Sequence, residues 1–278
     1  MHGEHGLIDL DLWTYDIPFA AQRKNKDGTV EVLPFDYCVH LFEKRLEEVK
    51  KMAGIKTWEG YLTGDNNFRH DIAVTRPYKG TRSKQERPFH YENMRVWLEH
   101  VQGAKVVHGM EADDILAIRM AELGEQACIV SRDKDLRMVA GWHFGYSCGK
   151  QKTFGPILYD EIGTIELIGR GKKKKLVGGG LKFFYAQLIM GDTTDNIGGL
   201  PYGGDVLAYA VLDGLQTEEE MFQAVWNLYY EYYEDEARAS ERMLEDGRLL
   251  WMCRELHEDG SPVMWAFPFE PEIREQDE

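Results

Sequence analysis

The sequence has 278 residues, of which 43% are hydrophobic and 12% aromatic, so it can bury a sizeable core and is not a disordered chain. Its four cysteines show neither CxxC nor Cys/His spacing, which argues against a zinc site and against a disulfide framework. The chain does not begin with a basic segment followed by a long apolar run, and no stretch approaches about 18 uncharged apolar residues. We therefore expect a soluble, cytoplasmic protein without a membrane partner.

The net charge of −15 argues at first against a nucleic-acid partner, because phosphates attract basic proteins. The charge is unevenly distributed, however, since residues 216–278 hold 18 acidic and 5 basic side chains. Residues 1–215 hold 28 basic and 30 acidic side chains and are nearly neutral. The acidic carboxyl-terminal region accounts for most of the net charge, and nucleic-acid binding by the rest of the chain is permitted.

Short apolar runs alternate with amphipathic stretches in the first half of the chain, which predicts an α/β fold with a parallel sheet. The predicted strands are Leu7–Leu10, Trp58–Thr63, Lys105–His108 and Ala127–Ser131. Between the first two, the segment Arg23–Val32 with its Asp27-Gly28 pair predicts a hairpin. The segment Phe35–Met52 has helical periodicity and is expected to end near Gly54.

The strand pattern fades after Tyr159, and helices are predicted over Leu181–Met190 and Val206–Leu215 with a glycine-rich turn at 198–204 between them. We therefore predict an α/β core over residues 1–168 and a helical subdomain over residues 169–278. The basic run Arg170–Lys175 precedes three glycines and predicts a mobile loop, which either touches DNA or aids solubility. The aromatic run at 229–235 predicts helix packing.

Acidic residues follow all four predicted strands. They are Asp9 and Asp11 after the first, Asp65 after the second, Glu111, Asp113 and Asp114 after the third, and Asp133 and Asp135 after the fourth. Because open α/β sheets bind ligands at the carboxyl ends of their strands, these loops are expected to converge on one edge. Asp192 and Asp195 are three residues apart at the end of a predicted helix and are expected to share one face. Each acid alone could be a helix cap, but four coincident loops favour a shared site.

Many carboxylates at close range repel one another, a cost that hard divalent cations with oxygen ligands remove. The pattern therefore predicts two Mg²⁺ or Mn²⁺ ions, a pair that suits phosphodiester hydrolysis because it activates water and stabilises charge on the attacking and leaving oxygens. If nine of these acids are ligands, the 28 basic side chains of residues 1–215 face 21 other acidic ones. The part of the chain outside the site is then basic, as a DNA-binding protein requires.

Five ordered blocks of the sequence resemble the flap-endonuclease and 5′→3′ exonuclease family, which includes bacteriophage 5′ exonucleases and the 5′ nuclease domain of bacterial DNA polymerase I. They are LIDLD at 7–11, NFRHDIAVTRPYKGTR at 67–82, GMEADDILA at 109–117, IVSRDKDL at 129–136 and IMGDTTDNIGGLPYGG at 189–204. The resemblance implies a PIN-like core with a short arch at 78–103, two metal sites, and a helix-three-turn-helix at 190–215 that grips duplex DNA.

The resemblance also implies the ligands of each ion. Those of the first would be Asp9, Asp65, Glu111, Asp113 and Asp114, with Asp133 shared or adjacent, and those of the second Asp135, Asp192 and Asp195. Asp11 lies beside the motif and is left outside the ligand set.

Basic residues and glycines complete the implied DNA site. Lys79 and Arg82 would contact the scissile phosphate and stabilise its developing charge, and Arg69 would also contact DNA. The remaining implied DNA contacts are Tyr78, Gly199, Gly203 and Gly204. Tyr78 could stack on a base or be packed, and the family usually has glycine where Tyr202 stands. Carbonyls at the glycine turn could hold K⁺ by the same resemblance.

The predicted function is therefore a structure-specific 5′ nuclease, acting as a 5′→3′ exonuclease, a flap endonuclease or both, with RNA-primer removal within the family's range. We expect a monomer that acts on DNA with a 5′ end, flap or nick, or on an RNA/DNA hybrid, beside replication proteins of a bacterium or a phage-infected host. A haloacid-dehalogenase-like phosphatase with Asp9 as nucleophile is the enzyme alternative, but it has no use for the glycine turn. A PIN-type ribonuclease would be shorter, and a non-catalytic DNA-binding protein would not keep the carboxylates.

Overall fold

The computed structural model describes residues 3–81, 86–171 and 174–272. The chain divides into two compact units. The first takes in the described residues of Met1–Asn67, Lys84–Asp133 and Gly141–Leu158, and the second those of Phe68–Ser83, Lys134–Ala140 and Tyr159–Glu278. None of the helices in the described ranges is both long enough and apolar enough to cross a bilayer.

Eight strands begin in the first unit. They are β1 (His5–Asp9), β2 (Gln22–Lys24), β3 (Val30–Val32), β4 (Thr57–Thr63), β5 (Lys105–Val107), β6 (Ala127–Val130), β7 (Gly141–Gly145) and β8 (Phe154–Tyr159). Six of them form one sheet in the order β5-β4-β1-β6-β7-β8, and its first five strands pair in parallel. Because these five strands run in one direction, the residues that follow β1, β4 and β6 emerge at a single edge of the sheet.

The helices of the first unit cover the sheet. They are α1 (Trp13–Ala20), α2 (Phe35–Ala53), α4 (Tyr91–His100) and α5 (Ala112–Leu123). In α2 the buried residues recur every three or four positions, which is the spacing of one helix face, and the helix ends at Gly54 with φ 71°. A continuous core joins α1, α2 and the sheet; it includes Ile8, Trp13, Phe42, Leu62, Val130 and Phe144.

The second unit is mainly helical. It contains α3 (Arg69–Ile72), the antiparallel strands β9 (Ile165–Ile168) and β10 (Lys175–Gly178), and the helices α6 (Gly180–Met190), α7 (Asp205–Leu212), α8 (Glu218–Tyr233) and α9 (Glu236–Leu250). Helix α6 is central, because it packs against α7, α8 and α9 and is buried over nearly its whole length. A capping box between Thr217 and Glu220 starts α8, and the Asp235 side chain caps α9.

The four predicted strands, the hairpin and the helix ending at Gly54 are confirmed to within two residues at each end. Four further strands, β7 to β10, were not predicted; β7 begins and ends with glycine and β8 contains Pro156, residues that weaken a strand pattern. The prediction of a loop over Arg170–Lys175 is wrong at its end, where Lys175 begins β10, and residues 172–173 lie outside the described ranges.

Candidate functional site

The buried carboxylate of Asp9, at the carboxyl end of β1, is the centre of the site in the first unit. One of its oxygens accepts a hydrogen bond from the Ser131 hydroxyl at 2.8 Å and the other from the Asp11 amide at 3.0 Å. The same Ser131 oxygen accepts the Asp133 amide at 2.9 Å, so one hydroxyl connects the loops that follow β1 and β6. Burial first, then the charges of Asp11 and Asp133, raise the pKa of Asp9 to about 7.

Thr63, the last residue of β4, joins the same edge to two other elements. Its amide donates to Asp11 at 3.0 Å, and its hydroxyl accepts the amide of Ala112 in α5 at 2.9 Å. Its carbonyl accepts Arg95 of α4 at 2.8 Å, and the Arg95 guanidinium lies 3.6 Å from the Asp11 carboxylate. Burial raises the pKa of Asp11, the Thr63 hydrogen bonds and Arg95 lower it, and Glu111 raises it. Asp11, which the sequence prediction omitted, is therefore part of this carboxylate set.

Glu111 is the residue before α5 and forms a capping box with Asp114. The Asp114 carboxylate accepts the Glu111 amide at 3.2 Å and is completely buried, whereas Asp113 is half-buried in the first turn of the helix. The Glu111 side chain in turn accepts the backbone amide of Asp114, so the cap interpretation applies to both acids. The charge of Glu111 also raises the pKa of Asp11.

Asp65 has an exposed side chain whose carboxylate contacts the imidazole of His108, just after β5. The Asp65 carbonyl accepts the Gly109 amide at 2.9 Å, which ties the loops after β4 and β5 together. His108 holds the pKa of Asp65 below its usual value. The observed partner of the Asp65 carboxylate is thus a histidine. The role of Asp65 as a metal ligand stays a prediction.

Three further predicted ligands lie in the second unit, where each carboxylate receives a protein donor. Asp135 accepts the Gln187 amide at 2.6 Å, and the Lys134 ammonium lies 3.2 Å away. Lys134 also donates to Asp192 at 2.5 Å. Although burial acts to raise the pKa of Asp192, the hydrogen bond from Lys134 holds it below its usual value. Neither Lys134 nor Gln187 was identified from the sequence.

The prediction that Asp192 and Asp195 lie on one helix face is wrong. Helix α6 ends at Met190, and Gly191 with φ 69° turns the chain away, so both acids lie in the following turn. The Asp192 carboxylate closes this turn by accepting the amides of Thr194 at 2.6 Å and Asp195 at 3.2 Å. The two aspartates are brought together by a turn motif and not by helical spacing.

The segment at 77–80 lies against the same turn. The Tyr78 hydroxyl donates to the Asp195 carboxylate at 2.8 Å, and the Lys79 amide donates to the Asp195 carbonyl at 2.8 Å. The Tyr78 side chain is 5% exposed and the Lys79 ammonium lies 5.0 Å from its ring centre, so packing is the alternative that the structure favours for Tyr78. Arg82 lies outside the described residues.

The assignment of Arg69 to DNA is contradicted by its burial, because its side chain is 0% exposed. Its guanidinium donates to the carbonyls of Leu249 at 3.0 Å and Trp251 at 2.6 Å, at the carboxyl end of α9. A cation at this end of a helix satisfies carbonyls that have no partner within the helix. Arg69 therefore anchors α3 to α9 and does not face solvent.

Replacing Arg69 with alanine is expected to lower the free energy of unfolding by about 3 kcal/mol, because buried carbonyls lose their donor. Denaturant unfolding monitored by circular dichroism measures the loss. The exposed Arg23 in β2 is the matched control, and Arg23→Ala is expected to change stability by less than about 0.5 kcal/mol. An Arg69→Ala protein of unchanged stability but weaker DNA binding would return this residue to the DNA site.

The three glycines of the predicted DNA-binding turn differ in the structural reason for which glycine is present. A Cβ on Gly199, whose φ is 57°, would lie 2.3 Å from the Gly191 nitrogen, and one on Gly203 would lie 1.8 Å from the Ile189 carbonyl oxygen. Both are therefore required for packing against the end of α6. Gly204 precedes α7, and no heavy atom lies within 4 Å of the position that a Cβ would take there. Of the three glycines, it is therefore the one that leaves room for a phosphate at the start of that helix.

Tyr202 does not cover that helix start. Its hydroxyl donates to the carbonyl of Leu228 in α8 at 3.1 Å, and its ring lies 5.7 Å from that of Tyr232. Two further cations that the sequence prediction missed lie at the same turn. A Cβ on Gly198 would stand 3.2 Å from the Arg242 guanidinium and 3.3 Å from that of Arg76.

The donor chemistry of both sets fits hard divalent cations, since every predicted ligand is a carboxylate oxygen. In the first set, the mutual charge of Asp9, Asp11 and Asp133 is what such a cation would neutralise. Over residues 3–81, 86–171 and 174–272, no three acidic, histidine or cysteine side chains are already grouped as a formed metal centre.

No family model matches the sequence. A substituted pseudo-enzyme form of the bacteriophage T5 flap endonuclease, solved with product DNA and metal ions, matches with a TM-score of 0.55 and 14% identity over 87% of this chain and 88% of that one. A mutant of the T5 5′-exonuclease gives a TM-score of 0.49 at 14% identity, covering 87% of each chain. The catalytic core of Rad2 with DNA substrate gives 0.46 at 12% identity, covering 96% of this chain and 85% of that one. The first match confirms the predicted fold class, an α/β PIN-like nuclease fold.

Proposed function

We propose that this chain is a metal-dependent, structure-specific 5′ nuclease that hydrolyses phosphodiester bonds of DNA, as a 5′→3′ exonuclease, a 5′-flap endonuclease or both. The observation that carries the proposal is the carboxylate set of Asp9, Asp11 and Asp133 at the carboxyl edge of a parallel sheet. A carboxylate whose pKa is raised to about 7, first by burial and then by the like charges of Asp11 and Asp133, is costly, and such sites are typical of functional centres. The fold shared with a flap endonuclease supports nuclease chemistry at this site.

The proposed cofactors are two Mg²⁺ or Mn²⁺ ions, one on each carboxylate set. Bound there, they would activate water for in-line attack and offset charge on the phosphate oxygens. The Ser131 hydroxyl donates to the Asp9 carboxylate and accepts the backbone amide of Asp133, so it fixes the Asp9 side chain and the loop that carries Asp133. We also propose four further ligands of the first ion, Asp65, Glu111, Asp113 and Asp114. The charge of Glu111, which raises the pKa of Asp11, supports its place in this set.

Lys79 is proposed to stabilise charge on the scissile phosphate. Its backbone has φ 55°, a conformation that is uncommon outside glycine, and its amide is fixed by the Asp195 carbonyl. The ammonium lies over the Tyr78 ring, and the Asp195 carboxylate accepts the Tyr78 hydroxyl. The backbone that carries the proposed phosphate contact is thus held in place, and a lysine side chain is long enough to reach a phosphate from it.

The DNA partner is proposed to dock on the turn and helix start at 196–215. No heavy atom lies within 4 Å of the position that a Cβ on Gly204 would take, and the exposed Arg76 has its guanidinium at Gly198 on the same turn. Arg242, the other cation at Gly198, is paired with Glu245 and Asp246 and is not proposed as a DNA contact. Phosphates bind at such helix starts because unpaired amides point at them. The family resemblance supports four further proposals. They are a K⁺ ion at this turn, RNA/DNA hybrids as substrates, a monomeric state, and replication proteins as partners.

The proposal is tested by incubating the protein with 5′-labelled flap, nicked and blunt duplexes in Mg²⁺, and again after EDTA is added. Cleavage that starts at the 5′ end or at the flap junction and stops with EDTA is the expected result. Product lengths then separate exonuclease from flap-endonuclease action. Cleavage that persists in EDTA, or none on any substrate, would contradict the proposal.

Replacing Lys79 with alanine is expected to slow single-turnover cleavage about a hundredfold, because a charge that stabilises the transition state is removed. The dissociation constant measured in Ca²⁺ should rise less than about fivefold. Lys152→Ala, which removes an exposed lysine elsewhere, is the control and should leave both values unchanged. If Lys79→Ala weakens binding without slowing the chemical step, the lysine only positions DNA.

A further inference from the structure

A lysine of this chain lies between two of its proposed metal ligands. The Lys134 ammonium lies 2.5 Å from an oxygen of Asp192 and 3.2 Å from an oxygen of Asp135. The Asp192 side chain is 3% exposed, whereas that of Lys134 is 40% exposed. The ammonium is therefore bound between the buried Asp192 and the partly buried Asp135, while the rest of the Lys134 side chain has access to solvent.

The other oxygens of this pair are also engaged. Gln187 donates to Asp135 at 2.6 Å, and the amides of Thr194 and Asp195 donate to Asp192. Gln187 and the two amides are neutral, whereas Lys134 brings a positive charge to this pair. Its distances are those of charge-assisted hydrogen bonds, which are about twice as strong as neutral ones.

The first carboxylate set differs in this respect. Asp9 is held by the Ser131 hydroxyl and the Asp11 amide, which are neutral, and the Arg95 guanidinium lies 3.6 Å from the Asp11 carboxylate. The ammonium at Asp192, at 2.5 Å, is thus a closer ionic contact than the one at Asp11. An ion arriving at Asp135 and Asp192 meets carboxylates already paired with an ammonium.

We propose that the Lys134 ammonium is a resident counter-cation of Asp135 and Asp192, the second carboxylate set. A divalent ion must displace this ammonium in order to bind there. The second ion is then bound more weakly than the first, because its affinity is reduced by the free energy of breaking the Lys134 pairs. The long, flexible lysine stem allows this displacement, since the ammonium can swing toward solvent without movement of the backbone. The inference rests on the proposed function only in taking Asp135 and Asp192 as metal ligands.

The test is a titration of the full chain with Mn²⁺ in the absence of DNA. The electron paramagnetic resonance signal of free Mn²⁺ measures how much of the ion is bound at each step. The wild type should bind one ion at least about tenfold more tightly than the second. Lys134→Ala and Lys134→Gln should each strengthen the second site at least about tenfold, equal to about 1.4 kcal/mol, and leave the first unchanged. Lys134→Arg, which keeps a cation, should retain a weak second site.

Two further measurements separate displacement from a purely structural role. Lys50→Ala removes a surface lysine that pairs with Glu47 in α2 and should leave both ion affinities unchanged. Metal-free Lys134→Ala should melt at a lower temperature than the wild type, because its carboxylates lose their counter-charge, and saturating Mn²⁺ should raise that temperature by more than in the wild type. If the alanine variant fails to fold, Lys134→Gln, which keeps a donor, decides.

A second-site affinity that is unchanged or weaker in Lys134→Gln overturns the proposal, as does the absence of any second ion in wild type and variants. Neither readout involves DNA, so the outcome is separable from the proposed function. A protein that cleaves no DNA but shows the Lys134 effect would refute the nuclease assignment alone. A protein that cleaves DNA and shows no Lys134 effect would refute the counter-cation alone.

Discussion

Replacing Asp133 with alanine is expected to reduce the rate of DNA cleavage about a thousandfold or more, equal to at least about 4 kcal/mol of transition-state stabilisation. Asp133 follows β6, its amide donates to the Ser131 hydroxyl, and its charge contributes to the raised pKa of Asp9. Its loss removes a carboxylate from the first ion set. Single-turnover cleavage of a labelled flap in saturating Mg²⁺ measures the effect.

DNA binding by Asp133→Ala, measured in Ca²⁺ by fluorescence anisotropy, should stay within about threefold of the wild type because the phosphate contacts lie on other residues. Asp36→Ala, an exposed aspartate in the first turn of α2, is the matched control and should cleave normally. Retained turnover in Asp133→Ala would place the catalytic carboxylates elsewhere. Equal loss of binding and cleavage would make Asp133 a DNA contact.

Replacing Asp9 with asparagine is expected to abolish cleavage and, in metal-free buffer at pH 8, to raise the free energy of unfolding by about 2–4 kcal/mol. The folded protein holds the pKa of Asp9 at about 7, above its ordinary value of 3.8. The ionised group therefore destabilises the fold; this penalty is absent below pH 4, grows as the pH rises and is complete above about 7. Asparagine keeps the shape and removes the charge.

Thermal unfolding of the wild type and Asp9→Asn at pH 5 and pH 8 checks this prediction. The stability difference should shrink by more than half at pH 5, where folded Asp9 is already protonated. Added Mg²⁺ should stabilise the wild type at pH 8 and stabilise Asp9→Asn much less, because the ion offsets the same charge that the mutation removes. An Asp9→Asn protein that is less stable than the wild type at both pH values would show that the carboxylate is needed for packing.

The parallel core could be predicted because its strands are short apolar runs, each with an acid at or after its carboxyl end. Burial on both faces of a parallel sheet requires such apolar runs. The strands β7 to β10 escaped prediction because their pairing depends on partners that the local pattern does not reveal. Strand β7 is held in place by β6, with Cys128 opposite Trp142, whereas its own sequence contains two glycines.

The candidate site could be predicted as a list of carboxylates but not as a set of contacts. Ser131, which joins Asp9 to Asp133, is separated from Asp9 by 122 positions, and nothing local marks it as a bridge. Lys134 stands between two predicted ligands in the block SRDKDL and could have been recognised as a cation beside them. Arg69 shows the opposite error, because a basic residue in a basic block belongs to a helix end 180 positions away.

The sequence by itself determined the parallel α/β core, the acids at its strand ends and the glycine turn before α7, since these follow from local periodicity and from backbone conformations that only certain residues adopt. Only the tertiary structure decided which side chains those acids meet. Asp9 and Asp133 share a neutral hydroxyl, Asp65 meets a histidine, and Asp192 is paired with Lys134. The reason is that electrostatic free energy depends on burial and on the groups that are nearest in space. The hydrogen-bond partners of Asp65, Asp192 and Asp9 lie 43 to 122 positions away along the chain.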